Sequence, residues 1–189
     1  MKQLRTAYGD RMAAYALRRF VFLDETGTHL GLTRAYGRAT PGQRVIEATP
    51  DYSGPHFTLV AAISWTGIQA PLLFEGPMTG SIFETYVTEC LAPTLCRGDI
   101  VVMDNLSAHK RPAIEVAIEA RGARLEYLPP YSSDFNPIEL GWAKVKIALR
   151  TAKARIYDDL VNAICKGLQT ISGTDAQAWF AHCRNAINA

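Results

Sequence analysis

Two short apolar runs in this chain each stop at an aspartate, and that pairing constrains the fold more than any other feature. Phe20-Val21-Phe22-Leu23 ends at Asp24-Glu25 and the turn-prone Thr26-Gly27, while Ile100-Val101-Val102-Met103 ends at Asp104-Asn105. The first reads as a strand with acids at its exit. The second, a short continuous apolar run, reads as a strand buried on both faces, as in the interior of a parallel sheet. In open sheets flanked by helices, ligands bind at the carboxyl ends of the central strands, so both aspartates are candidates for one site.

The remaining periodicities supply the rest of an α/β domain. A second strand is expected over residues 30–34, followed by a polar loop over 37–55 with three prolines and three glycines. Residues 57–65, rich in Val, Ile and Thr, predict a strand in hairpin with 70–74. Ile82, Phe83, Tyr86, Val87, Cys90 and Leu91 then recur at helical spacing, and Pro93 closes that helix. Pro112 opens a helix to about Arg121, with Gly122 as its stop, and residues 124–128 form a further strand. Asn136-Pro137 start a helix carrying Glu139, and two more helices cover 157–171 and 175–187. Strands, then strand and helix alternating, then helices, describe a mixed β-sheet flanked by helices.

With 189 residues, 48% of them hydrophobic, the chain suits one buried core. The expected division is a polar, basic tail or linker over 1–19 and one domain over 20–189. No signal-peptide-like run opens the chain and no stretch approaches a membrane span. Cys90, Cys96, Cys165 and Cys183 form no C-x-x-C pair, so neither zinc nor a disulfide framework is indicated. A cytoplasmic protein with reduced thiols is expected. The net charge of +2 does not argue for nucleic acid by itself.

Phosphoryl transfer on a nucleic-acid backbone can be driven by two Mg²⁺ ions held by carboxylates from distant parts of a chain. Asp24, Asp104 and Glu139 are placed for this, and each has a rival. Asp24 competes with Glu25, although neighbouring strand residues point to opposite faces and only one can look into the site. Asp104 also suits an ordinary Asp-Asn turn. Glu139, at the third position after an Asn136 N-cap, also suits a capping role, and Asp134 is another nearby carboxylate.

The segments around these acids settle the choice among rivals. Phe22-Leu23-Asp24-Glu25-Thr26-Gly27, then Val102-Met103-Asp104-Asn105-Leu106-Ser107-Ala108-His109-Lys110, then Leu128-Pro129-Pro130-Tyr131-Ser132-Ser133-Asp134-Phe135-Asn136-Pro137-Ile138-Glu139, together resemble the mariner-like superfamily of DNA transposases, and within it the bacterial insertion-sequence branch. The interval of 34 residues between Asp104 and Glu139 marks that branch. The resemblance covers about residues 20–146. It implies an RNase H-like fold, with Asp24, Asp104 and Glu139 as a catalytic, metal-binding DDE-type triad using Mg²⁺, or Mn²⁺ in its place. It implies hydrolysis at transposon ends in double-stranded DNA, then attack of the freed 3′-hydroxyl on target DNA. Work on paired ends implies a homodimer on DNA, and a nucleoid-associated location follows.

The sequence departs from the family at Ser133, where proline is usual. Related full-length transposases carry helix-turn-helix domains ahead of the catalytic domain, and about twenty residues precede Phe20 here. The expectation is that such a domain comes from a separately encoded subunit or frame, or that the chain is a shortened product.

Lys144, Lys146, Arg150, Lys153 and Arg155 follow Trp142 with no acid among them. If the helix begun at Pro137 runs that far, Lys146, Arg150 and Lys153 lie 7, 11 and 14 residues after Glu139. At about 100° per residue all three return to within roughly 40° of it. They are expected to contact DNA phosphates, with Lys110 and His109 as weaker candidates beside Asp104, whereas Lys144 turns away. His29, His56 and His182 carry no functional expectation. Two other readings are a transposon-derived DNA-binding protein without chemistry, and another RNase H-like nuclease. The complete set of acids opposes the first, and the Pro-Pro-Tyr-Ser and Asn-Pro-Ile-Glu segments oppose the second.

Overall fold

The computed structural model describes residues 2–187, so Met1 and residues 188–189 of the expected divisions lie outside it. A five-stranded sheet has the order β3-β2-β1-β4-β5. Strands β1 (Phe20–His29) and β3 (Gly67–Glu75) each pair antiparallel with β2 (His56–Ser64), and β4 (Ile100–Met103) and β5 (Arg124–Tyr127) lie parallel to β1. This is the mixed sheet expected, with the hairpin turn made by Trp65-Thr66 and by Gly67 at φ 126°.

Helices cover both faces because strand side chains alternate. Phe20, Phe22 and Val102 face α1 (Lys2–Ala13), α4 (Ile138–Ala152), α5 (Tyr157–Gln169) and α6 (Gly173–Ile187), whose Tyr8, Trp142, Leu149, Leu160 and Phe180 complete that core. Val21, Leu23, Val101 and Met103 face α2 (Gly80–Tyr86) and α3 (Pro112–Glu119), where Phe83, Tyr86, Ile114 and Ile118 are buried. Each such side chain contributes about 1.5–3 kcal/mol of burial. The helix expected over 82–91 is α2 continued by a π-helical turn, Val87–Leu91. No described helix is long and apolar enough to cross a membrane.

The structure corrects three expectations. β1 does not end at Asp24; it runs through Thr26-Gly27 to His29, because β2 pairs with it along its whole second half, from Asp24↔Ala61 to His29↔His56. No strand forms over 30–34. The carbonyls of Leu30 and Leu32 instead accept from the Arg155 guanidinium at 2.9 and 3.0 Å, which satisfies them without a neighbouring strand. The expected N-terminal tail holds helix α1, docked by its buried Tyr8 and Met12, one turn apart.

Candidate active site

β1 pairs with β4 only from Phe20↔Ile100 to Phe22↔Val102. Asp24 and Asp104 each lie two residues past that last pair, so the carboxyl end of the parallel segment carries both. Asp24 is an even-numbered residue of β1 and looks toward α4, while Glu25 looks to the other face. Glu139 sits in the first turn of α4. The three line one open cleft of about 450 Å³, walled by Leu128, Pro129, Tyr131 and Asn136.

Each carboxylate is held differently. Asp24 accepts the Glu25 backbone N–H at its Oδ1, 2.8 Å away, and the Asn136 amide Nδ2 at its Oδ2, 3.4 Å away. Asp104 accepts the Leu106 N–H at 3.2 Å and lies 2.5 Å from Nδ1 of His109. Glu139 is exposed, and its carboxylate has no partner among the described residues. Capping is not its role: α4 has Pro137 as its N-cap with no side-chain cap bond. Asn136, expected as that cap, is buried and turned to Asp24. Asp134 is bound by Arg5 and leaves the cleft carboxylates to themselves.

Crowding of acids shows in the protonation of Asp24. Burial first, then the charge of Glu139 and the neighbouring Glu25 and Asp104, push its carboxyl up to about 8. Among the described residues no three ligand-type side chains form a ready-made metal cage. Mg²⁺ does not require one, since it binds through one or two carboxylates and keeps waters and substrate phosphates as its other ligands. Hard oxygen donors from three elements, one unpartnered and one lacking a counter-charge, fit such a cation.

His109 does not face DNA as expected. It is 2% exposed, its ring stacked on Phe83 with centroids 3.8 Å apart. Its two nitrogens bridge Asp104 and Glu25, the latter at 3.6 Å from Nε2. Burial alone would lower its basicity, but the hydrogen bond to Asp104 and the nearby charge of Glu25 outweigh that and raise it to about 9.

The basic stripe is shorter than expected. Lys146 and Arg150 lie on α4, half-buried and without partners among the described residues. Lys153 falls past the helix end in the left-handed conformation, at φ 51°, and pairs with Glu47, so it leaves the helical face. Lys144 is held by Asp175 at 3.0 Å and the Thr170 carbonyl at 2.7 Å. Lys110 is exposed, its Nζ 5.7 Å from the centroid of the Tyr127 ring.

A family model described as DDE superfamily endonuclease matches residues 19–161, a span that includes Asp24, Asp104 and Glu139. The chain belongs to the DDE superfamily endonucleases. Among solved structures, this DDE endonuclease domain is similar to a pre-cleavage Mos1 transpososome, with a TM-score of 0.79 and 15% identity over 99% of this chain and 59% of that one. It is similar to the catalytic domain of Mos1 mariner transposase, with a TM-score of 0.74 and 14% identity over 99% and 88% of the two chains. It is also similar to the mariner Mos1 paired end complex with Mg, at 0.76 and 16% over 99% and 59%. The chain thus spans 59% of the Mos1 chain in the transpososome. At these identities the likeness is one of fold, and it is the RNase H-like fold that the sequence motifs implied. No curated protein matches the sequence.

Proposed function

We propose that this DDE endonuclease domain is the catalytic domain of a DNA transposase, with Asp24, Asp104 and Glu139 as the ligands of Mg²⁺ or Mn²⁺. The observation that carries this reading is the convergence of the three acids, from β1, the loop leaving β4, and α4, on one cleft where Asp24 is starved of counter-charge. In this reading water opens a phosphodiester at a transposon end to a 3′-hydroxyl and a 5′-phosphate. The 3′-hydroxyl then displaces the 3′-oxygen of a target phosphodiester, joining the two DNAs. Divalent cations, when bound, supply the charge that activates the attacking oxygen and stabilises the leaving one.

The chain's own residues orient that chemistry. Asn136 and the Glu25 N–H fix Asp24; His109 and the Leu106 N–H fix Asp104. Glu139 starts α4 with a free carboxylate, and Lys146 and Arg150 continue along the same helix without partners, suited to the phosphates flanking the scissile bond. Lys110, on the loop after Asp104, is a further phosphate contact. The substrate is duplex DNA, and cleavage of paired ends calls for two copies of the chain.

Nicking of duplex DNA by the full chain tests this reading. Nicking is expected with Mg²⁺ or Mn²⁺, none without a divalent ion, and none in Asp24→Asn, Asp104→Asn or Glu139→Gln proteins that remain folded. Metal-independent nicking, or nicking retained by Asp104→Asn, would overturn it.

A further inference from the structure

Helix α1 reaches across the domain to the loop that leads into Glu139. The Arg5 guanidinium forks onto Asp134, Nη1 to Oδ1 at 2.9 Å and Nη2 to Oδ2 at 2.5 Å, and Nη1 also donates to Ser132 Oγ at 3.1 Å. Its central carbon stands 3.9 Å from the centroid of the Phe135 ring, and the Tyr8 ring of the same helix stacks on Phe135 with centroids 6.1 Å apart. Phe135 is 1% exposed. One helix therefore grips three side chains of the loop, Ser132, Asp134 and Phe135, and the next residue is Asn136, whose amide meets Asp24.

This loop needs such a grip. Apart from one 3₁₀ turn, Ser133–Phe135, it lacks regular structure, and Tyr131 within it adopts a positive φ of 55°. Such a segment opens locally at low cost unless side chains hold it. An ordinary exposed ion pair would contribute little. A forked arginine–carboxylate pair with a ring beneath it is directional, and fixes orientation as well as position.

We propose that Arg5 is a positioning residue: it latches the 131–136 loop to α1 and so sets Asn136 and Glu139 against Asp24. Arg5 does not line the cleft and contacts none of its three acids. It acts through Asp134 and Phe135, and α1 is thereby a working part of the active site. The inference rests on the catalytic reading of the cleft for its effect on activity, but the latch has a readout of its own.

Hydrogen exchange and nicking kinetics on the full chain test it together. In Arg5→Gln, amides of residues 131–139 should exchange about tenfold faster while those of β1 and β4 keep their rates. The kcat for nicking should fall by a similar factor with KM for DNA little changed. Arg5→Lys, which keeps a charge on Asp134 but loses the fork, should fall between. Asp134→Asn should reproduce Arg5→Gln, and the double variant should be no worse than either, as for a coupled pair. Wild-type exchange at 131–139 in Arg5→Gln would overturn the latch. So would faster exchange throughout the domain with a matching drop in Tm, which marks a purely structural role. A wild-type chain that nicks no DNA would contradict the catalytic reading, and the exchange measurement would still decide the latch.

Discussion

Asn136, five residues after Tyr131 in the loop before α4, places its amide Nδ2 3.4 Å from Oδ2 of Asp24, while its own Oδ1 is buried without a partner. Among the described residues the amide is the only side chain hydrogen-bonded to Asp24. Asn136→Asp would set another carboxylate against Asp24. It is expected to lower stability by about 1–3 kcal/mol in urea unfolding without metal, with part of the loss recovered in Mg²⁺. An unchanged midpoint would remove Asn136 from the site.

The crowded acids give stability a pH dependence whose sign is fixed. Asp24 is raised from 3.8 to about 8, so between those values the folded chain holds a proton that the unfolded chain has released, and stability falls as pH rises through that window. His109, raised from 6.5 to about 9, works in the same direction: its contribution is complete below 6.5 and lost as pH rises toward 9. The Tm of the metal-free protein should therefore decline from neutral to mildly alkaline pH. Asp24→Asn should make the decline shallower. An identical decline in that variant would contradict the assignment of Asp24.

The His109 ring that bridges Asp104 and Glu25 is buried against Phe83, while the two carboxylates are partly exposed. Breaking the bridge leaves two partly solvated carboxylates without their shared partner, so His109→Ala should cost about 1–3 kcal/mol in denaturant unfolding. Adding Glu25→Gln should restore part of that. A double variant as unstable as the sum of its parts would argue that the ring only fills space beside Phe83.

Phosphate binding along α4 separates the lysines. Lys146→Gln and Arg150→Gln should each reduce the log–log salt slope of duplex binding by about 1. Lys153→Gln, whose ammonium pairs with Glu47, and Lys144→Gln, held by Asp175, should leave the slope unchanged. Anisotropy across a salt series distinguishes them, and equal slopes for Lys144→Gln and Arg150→Gln would count against the helix as the DNA-binding surface.

The sheet and its acid-bearing ends were readable because buried strands leave continuous apolar runs and helices leave a period of three to four. The length of β1 was not, because Thr26-Gly27 are held in the strand by the segment from His56 onward, a partner that local pattern does not reveal. Helix α1 was missed because Tyr8 and Met12 are its only buried large apolar residues, and Arg5, which also docks it, leaves no periodic signal. The face of Lys153 was misread because α4 stops on a lysine in the left-handed conformation, a position that glycine would have signalled. His109 and Asn136 were placed on the right loops, but as a DNA contact and a helix cap. His109 also meets Asp104 on its own loop, but Glu25, and Asp24 for Asn136, come from β1, and sequence neighbours do not report contacts made across the fold.

Exchange of one carboxylate for a thiolate tests the metal site most directly. A softer sulfur ligand at Asp104 disfavours Mg²⁺ more than Mn²⁺, since hard cations prefer oxygen. Nicking of labelled duplex DNA by Asp104→Cys should be lost in Mg²⁺ and partly regained in Mn²⁺, with Asp104→Asn inactive in both. Nicking by Asp104→Cys that persists in Mg²⁺, or that in Mn²⁺ is no greater than for Asp104→Asn, would contradict the claim that Asp104 holds a catalytic metal ion.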